Sequence, residues 1–509
     1  MKIFDFFLKI TNKQAIIVII LIACFHFINT LIVLKTNNFY SSIDESVVGI
    51  VDMSTSFVHE YKLINIINER NISDLMETLI FYWKPPTFFV LAVPFLYCIS
   101  DIAVFIGVFN FFLSIITLLS VYGIVSKIIS KQAGLFAGFI LSFLPLFFII
   151  HRTFFIETLL ASAFALSIYL ILPSQTNGKF PNLKIIFALT LGLLTKEQFF
   201  LYLPFIIMFA FYKSPVNNTK KIINITLSFG LSLITAYILW YYYLPDNIFY
   251  HLIKYANDNI QADHLFYLKD FYYFSISPFI VISFIFASVY FIFKKKYLLF
   301  ILTPLLILFI FSLSGNKVTR HVYPVIIFIP ILITFFIYEI KNTVLRNAFV
   351  LIFVIFMVLQ FFLINYSENA YYREKNFNGY NQFKGLAYAF AIPKAESYKM
   401  QYLMFKRLLG DSFIRDTVFI NVFPPLVYNF LILQKERTDI LLNIITYDGI
   451  PYLKNDINLY NNIVISDYNT AVFENFDGFL KKNANFKKTK EIKIYNHNNA
   501  KVWLYQNQY

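Results

Sequence analysis

Charged residues are scarce in this sequence, and those that border long apolar stretches are its candidates for chemistry. Of the 509 residues, 58% are hydrophobic and only 14% are charged, whereas a soluble protein has about 25% charged residues. Because ionisable residues are costly within or beside a membrane, they are functional candidates by default. Carboxylates in such places can accept a proton, and lysines or arginines can stabilise a developing anion. The candidates are Asp44, Glu45, Lys84, Arg152, Glu157, Lys196, Lys317, Arg320 and the nearby Tyr323.

Some of these candidates have an equally simple structural interpretation. Asp44 and Glu45 fit a helix N-cap followed by an acid in the first turn, where the helix dipole favours negative charge. Lys84 and Lys196 fit lysines whose stems lie on apolar surface while their ammonium groups reach the membrane interface. The residue types alone therefore leave both interpretations open at these positions.

Glu157 is harder to explain structurally, because it follows Phe154-Phe155-Ile156 and precedes a long apolar run. A structural role there requires a cationic partner, either Arg152 or a lysine. The seven histidines show no tight spacing that would predict a metal site. Cys24 and Cys98 provide neither a disulfide framework nor the spacing of zinc ligands.

The apolar runs that must position these residues predict a polytopic α-helical membrane protein. The first run, Ala15 to Leu34, is about 20 residues long, enough to cross a hydrocarbon core of ~30 Å. It has no small-residue cleavage site, so we interpret it as an uncleaved first helix. The stretch from Pro86 to Ile99 is shorter and fits the membrane interface. In total we predict about eleven spans, near 15–34, 102–126, 133–150, 154–172, 184–195, 199–212, 222–244, 272–293, 297–313, 324–338 and 347–365.

The lysines in the loops predict how these spans are oriented. Every second loop is basic, through Lys127 and Lys131, Lys179 and Lys184, Lys213 to Lys221, Lys294 to Lys296, and Lys341 with Arg346. Because cytoplasmic loops collect lysine and arginine, the N-terminus is predicted to be cytoplasmic in a multi-pass protein of the plasma (inner) membrane. The net charge of +14 is then mainly a topology signal, and no nucleic-acid partner is needed to explain it.

An odd number of spans places three segments outside: a first outer loop of 35–101, a second of 245–271, and the tail from 366 to 509. In the first loop, apolar residues recur at helical spacing from Val47 to Ile67, which predicts an interfacial amphipathic helix. The tail predicts a small α/β extracytoplasmic domain, with strands at 416–422 and 462–467, a helix at 425–434 and a terminal hairpin of 491–495 and 500–505. The predicted transmembrane domain is 1–365, and the second domain is 366–509.

The order of the motifs resembles that of the GT-C glycosyltransferases that use polyprenyl-phosphate sugars, in particular the aminoarabinose transferase and protein O-mannosyltransferase group. That family has an Asp-Glu pair after the first span, a Lys-Pro-Pro motif, an arginine before an acidic residue, a Leu-Leu-Thr-Lys element and a late Ser-x-x-x-Lys and Tyr-x-Pro-like stretch. Over roughly residues 10–340, the counterparts here are Asp44-Glu45, Lys84-Pro85-Pro86, Arg152 with Glu157, Leu193-Leu194-Thr195-Lys196, and Ser312 to Pro324.

The resemblance implies a GT-C-like fold and an inverting transferase that moves a hexosyl or pentosyl group from a polyprenyl-phosphate donor. The acceptor is a hydroxyl or phosphate of a glycan, lipid or protein at the outer face. Asp44 is the implied base, and Glu45 and Glu157 orient the acceptor or stabilise positive charge on the sugar. A divalent metal ion is a candidate cofactor, with Asp44, Glu157 and His264 as candidate ligands. The donor phosphate is assigned to Lys84, Arg152, Lys196, Lys317, Arg320 and Tyr323.

Two other classes of protein stay open at this point. A transporter or flippase of a lipid-linked anion would carry its charges near the bilayer midplane on broken helices, whereas here the charges gather at one face. An O-antigen ligase or polymerase would share the lipid-linked donor and the large outer loops. The Lys-Pro-Pro and Thr-Lys motifs favour the transferase over the ligase or polymerase.

Overall fold

The structure is a computed structural model of the chain, which forms two compact units. One unit comprises 1–31 and 71–367, and the other comprises 32–70 and 368–509. The residues that the structure describes are 11–36, 87–99, 102–152, 154–172, 182–212, 219–239, 265–271, 276–313, 319–366, 417–420, 443–445, 462–466, 480, 486–493 and 501–507. The predicted interfacial helix of 47–67 and the predicted helix of 425–434 lie outside these ranges.

The first unit is helical throughout its described part. Five of its helices are long and apolar enough to cross a membrane, at Asn12–Ile32, Val104–Ile128, Ile222–Leu239, Arg320–Glu339 and Thr343–Leu363. The helices in chain order are α1 (Asn12–Thr36), α2 (Thr87–Cys98), α3 (Ile102–Ile128), α4 (Lys131–Phe143), α5 (Pro145–Ile150), α6 (Ile156–Ile171), α7 (Leu183–Leu193), α8 (Phe199–Ala210), α9 (Thr219–Leu239), α10 (Phe266–Asp270), α11 (Pro278–Phe293), α12 (Leu298–Leu313), a 3-10 helix (Thr319–Ile327), α13 (Phe328–Glu339) and α14 (Thr343–Tyr366).

The span predicted at 133–150 is wrong as a single helix, because it is divided into α4 and α5. Leu144 separates the two with extended backbone angles of φ −65° and ψ 132°, and Pro145 begins α5. Proline disfavours the helical conformation at the preceding residue, which explains the break. The helices predicted from 154 to 212 are present, but they are short: α6, α7 and α8 have 16, 11 and 12 residues.

Helix α6 lies at the centre of this unit. It packs against α3, α7, α8 and the 3-10 helix, and nearly all of its side chains are buried. Polar contacts fix its position beside α3, since the Thr117 and Ser162 hydroxyl oxygens are 2.9 Å apart. The Ser162 hydroxyl also donates to the Leu113 carbonyl oxygen at 3.0 Å. These contacts hold the middle of α6 against α3.

The second unit contains a five-stranded sheet in the order β2-β1-β3-β5-β4. Its strands are β1 (Thr417–Ile420), β2 (Asn443–Ile445), β3 (Asn462–Ser466), β4 (Phe486–Lys493) and β5 (Lys501–Asn507). β1 runs parallel to β2 and β3, and β5 is antiparallel to β3 and β4. Ile463 and Tyr505 are paired across β3 and β5, and both are buried, which places them in the core of this unit.

Two glycines on α4 differ in how closely they approach α3, and this difference is testable. A Cβ atom at Gly134 would lie 2.5 Å from the Tyr122 carbonyl oxygen and would also meet the Ser126 hydroxyl. At Gly138 the nearest atom would be the Leu118 carbonyl oxygen at 3.8 Å, an ordinary contact. We expect Gly134→Ala to destabilise the bundle by about 1–3 kcal/mol, the usual cost of overpacking.

The measurement is the melting temperature of purified protein in detergent, with Gly138→Ala as the matched control. The control adds the same methyl group to the same helix without a close contact, and it is expected to melt at or slightly above the wild type, because alanine favours a helix more than glycine does. Equal melting temperatures for the two variants would contradict the close approach of α3 and α4 at Gly134.

Candidate functional site

Glu157 occupies the first turn of α6, where an acidic side chain interacts favourably with the helix dipole. The helix begins after Phe155, whose backbone is extended with φ −111° and ψ 137°. The Thr158 hydroxyl donates to the Phe155 carbonyl oxygen at 2.7 Å and stabilises this start. Glu157 is only 3% exposed, so its carboxylate requires positively charged or hydrogen-bonding neighbours.

Two cations meet this carboxylate from different elements. The Lys196 Nζ atom lies 2.7 Å from the Glu157 Oε1 atom and donates a hydrogen bond to it. The Arg320 Nε atom lies 3.6 Å from the same oxygen. Lys196 comes from the turn between α7 and α8, and Arg320 from the 3-10 helix. We call Glu157, Lys196 and Arg320 the ion cluster; these three side chains together carry a net positive charge.

The turn that carries Lys196 is shaped by its own sequence. α7 ends at Leu193, and the Thr195 hydroxyl donates back to the Leu191 carbonyl oxygen at 2.6 Å. The Thr87 backbone N–H donates to the Leu194 carbonyl oxygen at 3.2 Å. Thr87 directly follows the Lys-Pro-Pro motif, so this hydrogen bond brings the end of one predicted motif against another.

The 3-10 helix is held at the site by two further hydrogen bonds. The Tyr202 hydroxyl of α8 donates to the His321 carbonyl oxygen at 3.0 Å. The Tyr323 hydroxyl lies 2.9 Å from the Nδ1 atom of His151. Residues three apart are eclipsed on a 3-10 helix, so Arg320 and Tyr323 share one face of it. That face is directed at the segment between α5 and the first turn of α6.

Arg152 lies in the same segment and is completely buried. Its guanidinium carbon lies over the Phe148 ring, 4.9 Å from the ring centre. The guanidinium of Arg320 lies over Phe155 in the same way, at 5.3 Å. Aromatic faces attract cations, so both arginines are oriented by packing as well as by charge.

The structure thus brings together part of the predicted site. Glu157, Lys196 and Arg320 meet directly, whereas Arg152 and Tyr323 lie at the adjacent segment. Sequence reasoning assigned no role to His151, the partner of Tyr323, although its position beside Arg152 at the end of an apolar run was a usable signal. The remaining predicted site residues lie outside the described ranges: Asp44, Glu45, Lys84, Lys317 and His264.

The candidate metal site is only partly within the described residues. Within them, no group of three or more His, Cys, Asp or Glu side chains is close enough to hold a metal ion. Glu157 already has two cationic side chains on one carboxylate oxygen. A third cation at the same oxygen would be repelled by them, so Glu157 is a poor candidate for a metal ligand.

Two lysine–glutamate ion pairs have nearly equal N–O distances but differ in burial. Comparing them tests how much burial makes stability depend on an ion pair. Lys296 Nζ lies 2.9 Å from Glu339 Oε1, but these side chains are 53% and 27% exposed, against 12% and 3% for Lys196 and Glu157. Removing one partner of a buried pair costs about 3–5 kcal/mol, because the other charge stays buried. Exposed pairs contribute little.

We therefore expect Glu157→Gln to lower the melting temperature of the protein markedly, and Glu339→Gln to leave it nearly unchanged. Both substitutions remove one negative charge and keep the shape of the side chain. Melting of the two variants in the same detergent, with circular dichroism as the readout, checks this. Equal losses of stability would show that the buried ion cluster contributes no more to stability than the exposed pair does.

The fold and part of the sequence match known proteins. Residues 83–240 match the sequence model of the family described as dolichyl-phosphate-mannose-protein mannosyltransferase. The crystal structure of ArnT from Cupriavidus metallidurans bound to undecaprenyl phosphate is similar, with a TM-score of 0.55 and 9% identity over 97% of this chain and 98% of that chain. Its apo structure has a TM-score of 0.55 and 11% identity, covering 87% and 93%. No curated protein sequence matches the chain. The chain therefore has the ArnT-like fold, and the resemblance to the polyprenyl-phosphate-sugar transferases that its motifs predict is confirmed.

Proposed function

We propose that this protein is an integral-membrane glycosyltransferase that moves a sugar from a polyprenyl-phosphate donor to an acceptor at the outer face of the membrane. The observation that carries the proposal is the ion cluster, which holds Lys196 and Arg320 in place at the first turn of a buried apolar helix. A lipid-linked phosphate is an anion presented at the end of a long apolar chain. Fixed cations can bind the phosphate, and the surrounding apolar helices can contact the lipid chain.

Lys196 and Arg320 suit the two tasks of binding and stabilising the phosphate. The ammonium group of lysine is a compact point charge, and the planar guanidinium of arginine presents paired N–H donors to phosphate oxygens. Glu157 keeps both groups in position, so little reorganisation is needed when charge develops on the leaving phosphate. We infer that Glu157 acts by positioning these two cations.

The chemical step that we propose is a single displacement, which inverts the anomeric centre. The acceptor oxygen forms a bond to the anomeric carbon and gives its proton to Asp44, while the bond from that carbon to the phosphate oxygen breaks. Polyprenyl phosphate leaves as an anion. Glu45 orients the acceptor, and Lys84 and Arg152 add further positive charge around the phosphate. The step as written balances without a metal ion.

The proposed orientation places the N-terminus in the cytoplasm and residues 366–509 outside, in the plasma (inner) membrane. It rests on the lysine-rich loops, of which Lys294, Lys295 and Lys296 between α11 and α12 are an example. Under this proposal the sheet of the second unit lies on the side where the acceptor is presented. The acceptor is a hydroxyl or phosphate of a surface glycan, lipid or protein.

The direct test measures release of polyprenyl phosphate from radiolabelled polyprenyl-phosphate sugars by purified protein in liposomes, with membrane extract supplying acceptors. Lys196→Met should lower the rate of release about 100- to 1000-fold, the usual loss when one stabilising group is removed from a developing anion. Lys296→Met is the matched control, because Lys296 pairs with the exposed Glu339 instead. Its rate should equal that of the wild type.

Movement of the lipid-linked sugar across the liposome membrane without release of polyprenyl phosphate would overturn the proposal in favour of a transporter. Release that is unaffected by Lys196→Met would leave the protein a transferase but would remove Lys196 from the phosphate site.

The assignment of Asp44 as the base has its own test. Asp44→Asn keeps the size of the side chain but removes the carboxylate that takes the proton, so we expect the rate to fall at least about 100-fold. Asp52→Asn makes the same change elsewhere in the first outer loop and serves as the control. The variants are compared by initial rate after equal expression and equal elution on size exclusion are established. An active Asp44→Asn variant would exclude this residue as the base.

A further inference from the structure

His151 is a buried polar residue that the proposed transfer step does not use. It follows α5 and is only 6% exposed. Its ring stacks on Phe147, with the ring centres 4.2 Å apart. Its Nδ1 atom lies 2.9 Å from the Phe147 carbonyl oxygen and 2.9 Å from the Tyr323 hydroxyl. The position and tilt of the imidazole are therefore fixed on both sides.

These contacts determine which ring nitrogen carries the proton. A carbonyl oxygen only accepts hydrogen bonds, so the 2.9 Å contact with Phe147 favours the tautomer with its proton on Nδ1, for which the Tyr323 hydroxyl oxygen is a second acceptor. Burial lowers the pKa of His151 to about 4, so the ring is neutral near pH 7. A neutral ring with its proton on Nδ1 has a lone pair on Nε2, which is then a hydrogen-bond acceptor.

That acceptor has no partner among the residues that the structure describes. Leaving a buried acceptor unsatisfied costs about 1–3 kcal/mol, and such groups in folded proteins usually receive a hydrogen bond from somewhere. His26 is the comparison, because its ring nitrogens are also buried without a partner in the described part of the chain. It lies among the rings of Phe143, Phe148 and Phe361, and no hydrogen bond orients it.

His151 differs from His26 in being tied to the ion cluster. Its partner Tyr323 is three residues from Arg320 on the same face of the 3-10 helix, and Arg320 contacts Glu157. One turn of a 3-10 helix rises about 6 Å, so the contacts of Arg320 and Tyr323 place the imidazole of His151 about one helical turn from the ion cluster.

We propose that the Nε2 atom of His151 accepts a hydrogen bond from a sugar hydroxyl of the ligand bound at the ion cluster. This deepens the proposed transferase function and rests on it. The phosphodiester of a polyprenyl-phosphate sugar has only acceptor oxygens, so it does not satisfy a second acceptor. A hydroxyl group donates a hydrogen bond and can satisfy Nε2. His151 and the ion cluster together recognise a ligand that combines an anionic phosphate with a neutral polyol.

Two substitutions separate this role from a structural one. The amide of glutamine reaches the position of Nε2, and the shorter amide of asparagine reaches only that of Nδ1. If Nε2 binds a hydroxyl, His151→Gln should retain part of the transfer activity, while His151→Asn and His151→Phe should lose about 10- to 100-fold, which corresponds to one buried hydrogen bond. If His151 only holds Tyr323, His151→Asn should be the active variant and His151→Gln the impaired one.

The readouts are the kinetics of polyprenyl phosphate release and the increase in melting temperature that undecaprenyl phosphate alone produces. Undecaprenyl phosphate has no sugar, so its stabilising effect should be the same in the wild type and all three His151 variants. His26→Phe is the control, because it keeps the ring packing, and its transfer rate should match that of the wild type. A raised KM for the sugar donor alone assigns the hydroxyl to the donor, and a raised KM for the acceptor alone assigns it to the acceptor.

The outcomes also distinguish this inference from the proposed function. Wild-type protein that releases no polyprenyl phosphate overturns the transferase, and the inference with it. Active wild-type protein with an equally active His151→Phe variant overturns the inference alone. A loss of stabilisation by undecaprenyl phosphate in His151→Phe would also overturn it, since it would place His151 at the phosphate.

Discussion

A carboxylate buried at the start of an apolar helix has to meet positive charge, and much of the first unit is arranged around this requirement. Glu157 is surrounded by hydrophobic residues of α6 and its neighbours. An isolated ion in such a place costs many kcal/mol. The chain meets the requirement with Lys196 and Arg320, which are 39 and 163 residues away in sequence. Their turn and their 3-10 helix are therefore fixed relative to α6 by electrostatics as well as by packing.

The short and interrupted helices follow from the same arrangement. α6, α7 and α8 have 16, 11 and 12 residues, fewer than the ~20 of a helix that crosses a membrane. The helical path breaks at Leu144, before Pro145 begins α5, and the 3-10 helix precedes α13. Irregular backbone within a helical membrane protein is tolerated where surrounding protein supplies its hydrogen bonds. The hydrogen bond from Tyr202 to His321 and that from Thr87 to Leu194 supply such surroundings.

The sequence predicts the parts of this site better than it predicts their pairing. Glu157 stood out because an apolar run flanks it, and the expected cationic partner was either Arg152 or a lysine. In the structure Lys196 and Arg320 contact Glu157, which confirms the lysine alternative, and Arg152 lies over Phe148. Sequence distance does not determine which of several cations reaches a carboxylate, since this depends on how α6, α7 and the 3-10 helix pack.

The predictions of strands and helices from the sequence show the same limit. The strands predicted near 416 and 462 are present as β1 and β3, because runs of β-branched and other apolar residues make a clear pattern, but the three-residue β2 gives too short a signal. The predicted span at 133–150 was wrong for a local reason, since hydropathy does not detect the effect of Pro145 on Leu144. His151 illustrates a further limit. Its proposed role depends on which ring nitrogen lacks a partner in the described residues, and this depends on the Phe147 carbonyl and the Tyr323 hydroxyl. Only the fold brings these two groups to the imidazole.

The 3-10 helix places two different groups at the site. Arg320 and Tyr323 project from one face, so a single segment fixes a cation at the carboxylate and a hydroxyl at the imidazole. A shift of this segment would change both contacts together. In the proposed function, positive charge binds the phosphate and the neutral imidazole of His151 accepts a hydrogen bond from a hydroxyl group. Recognition of a sugar phosphate would then depend on the spacing between these two groups, which the 3-10 helix sets.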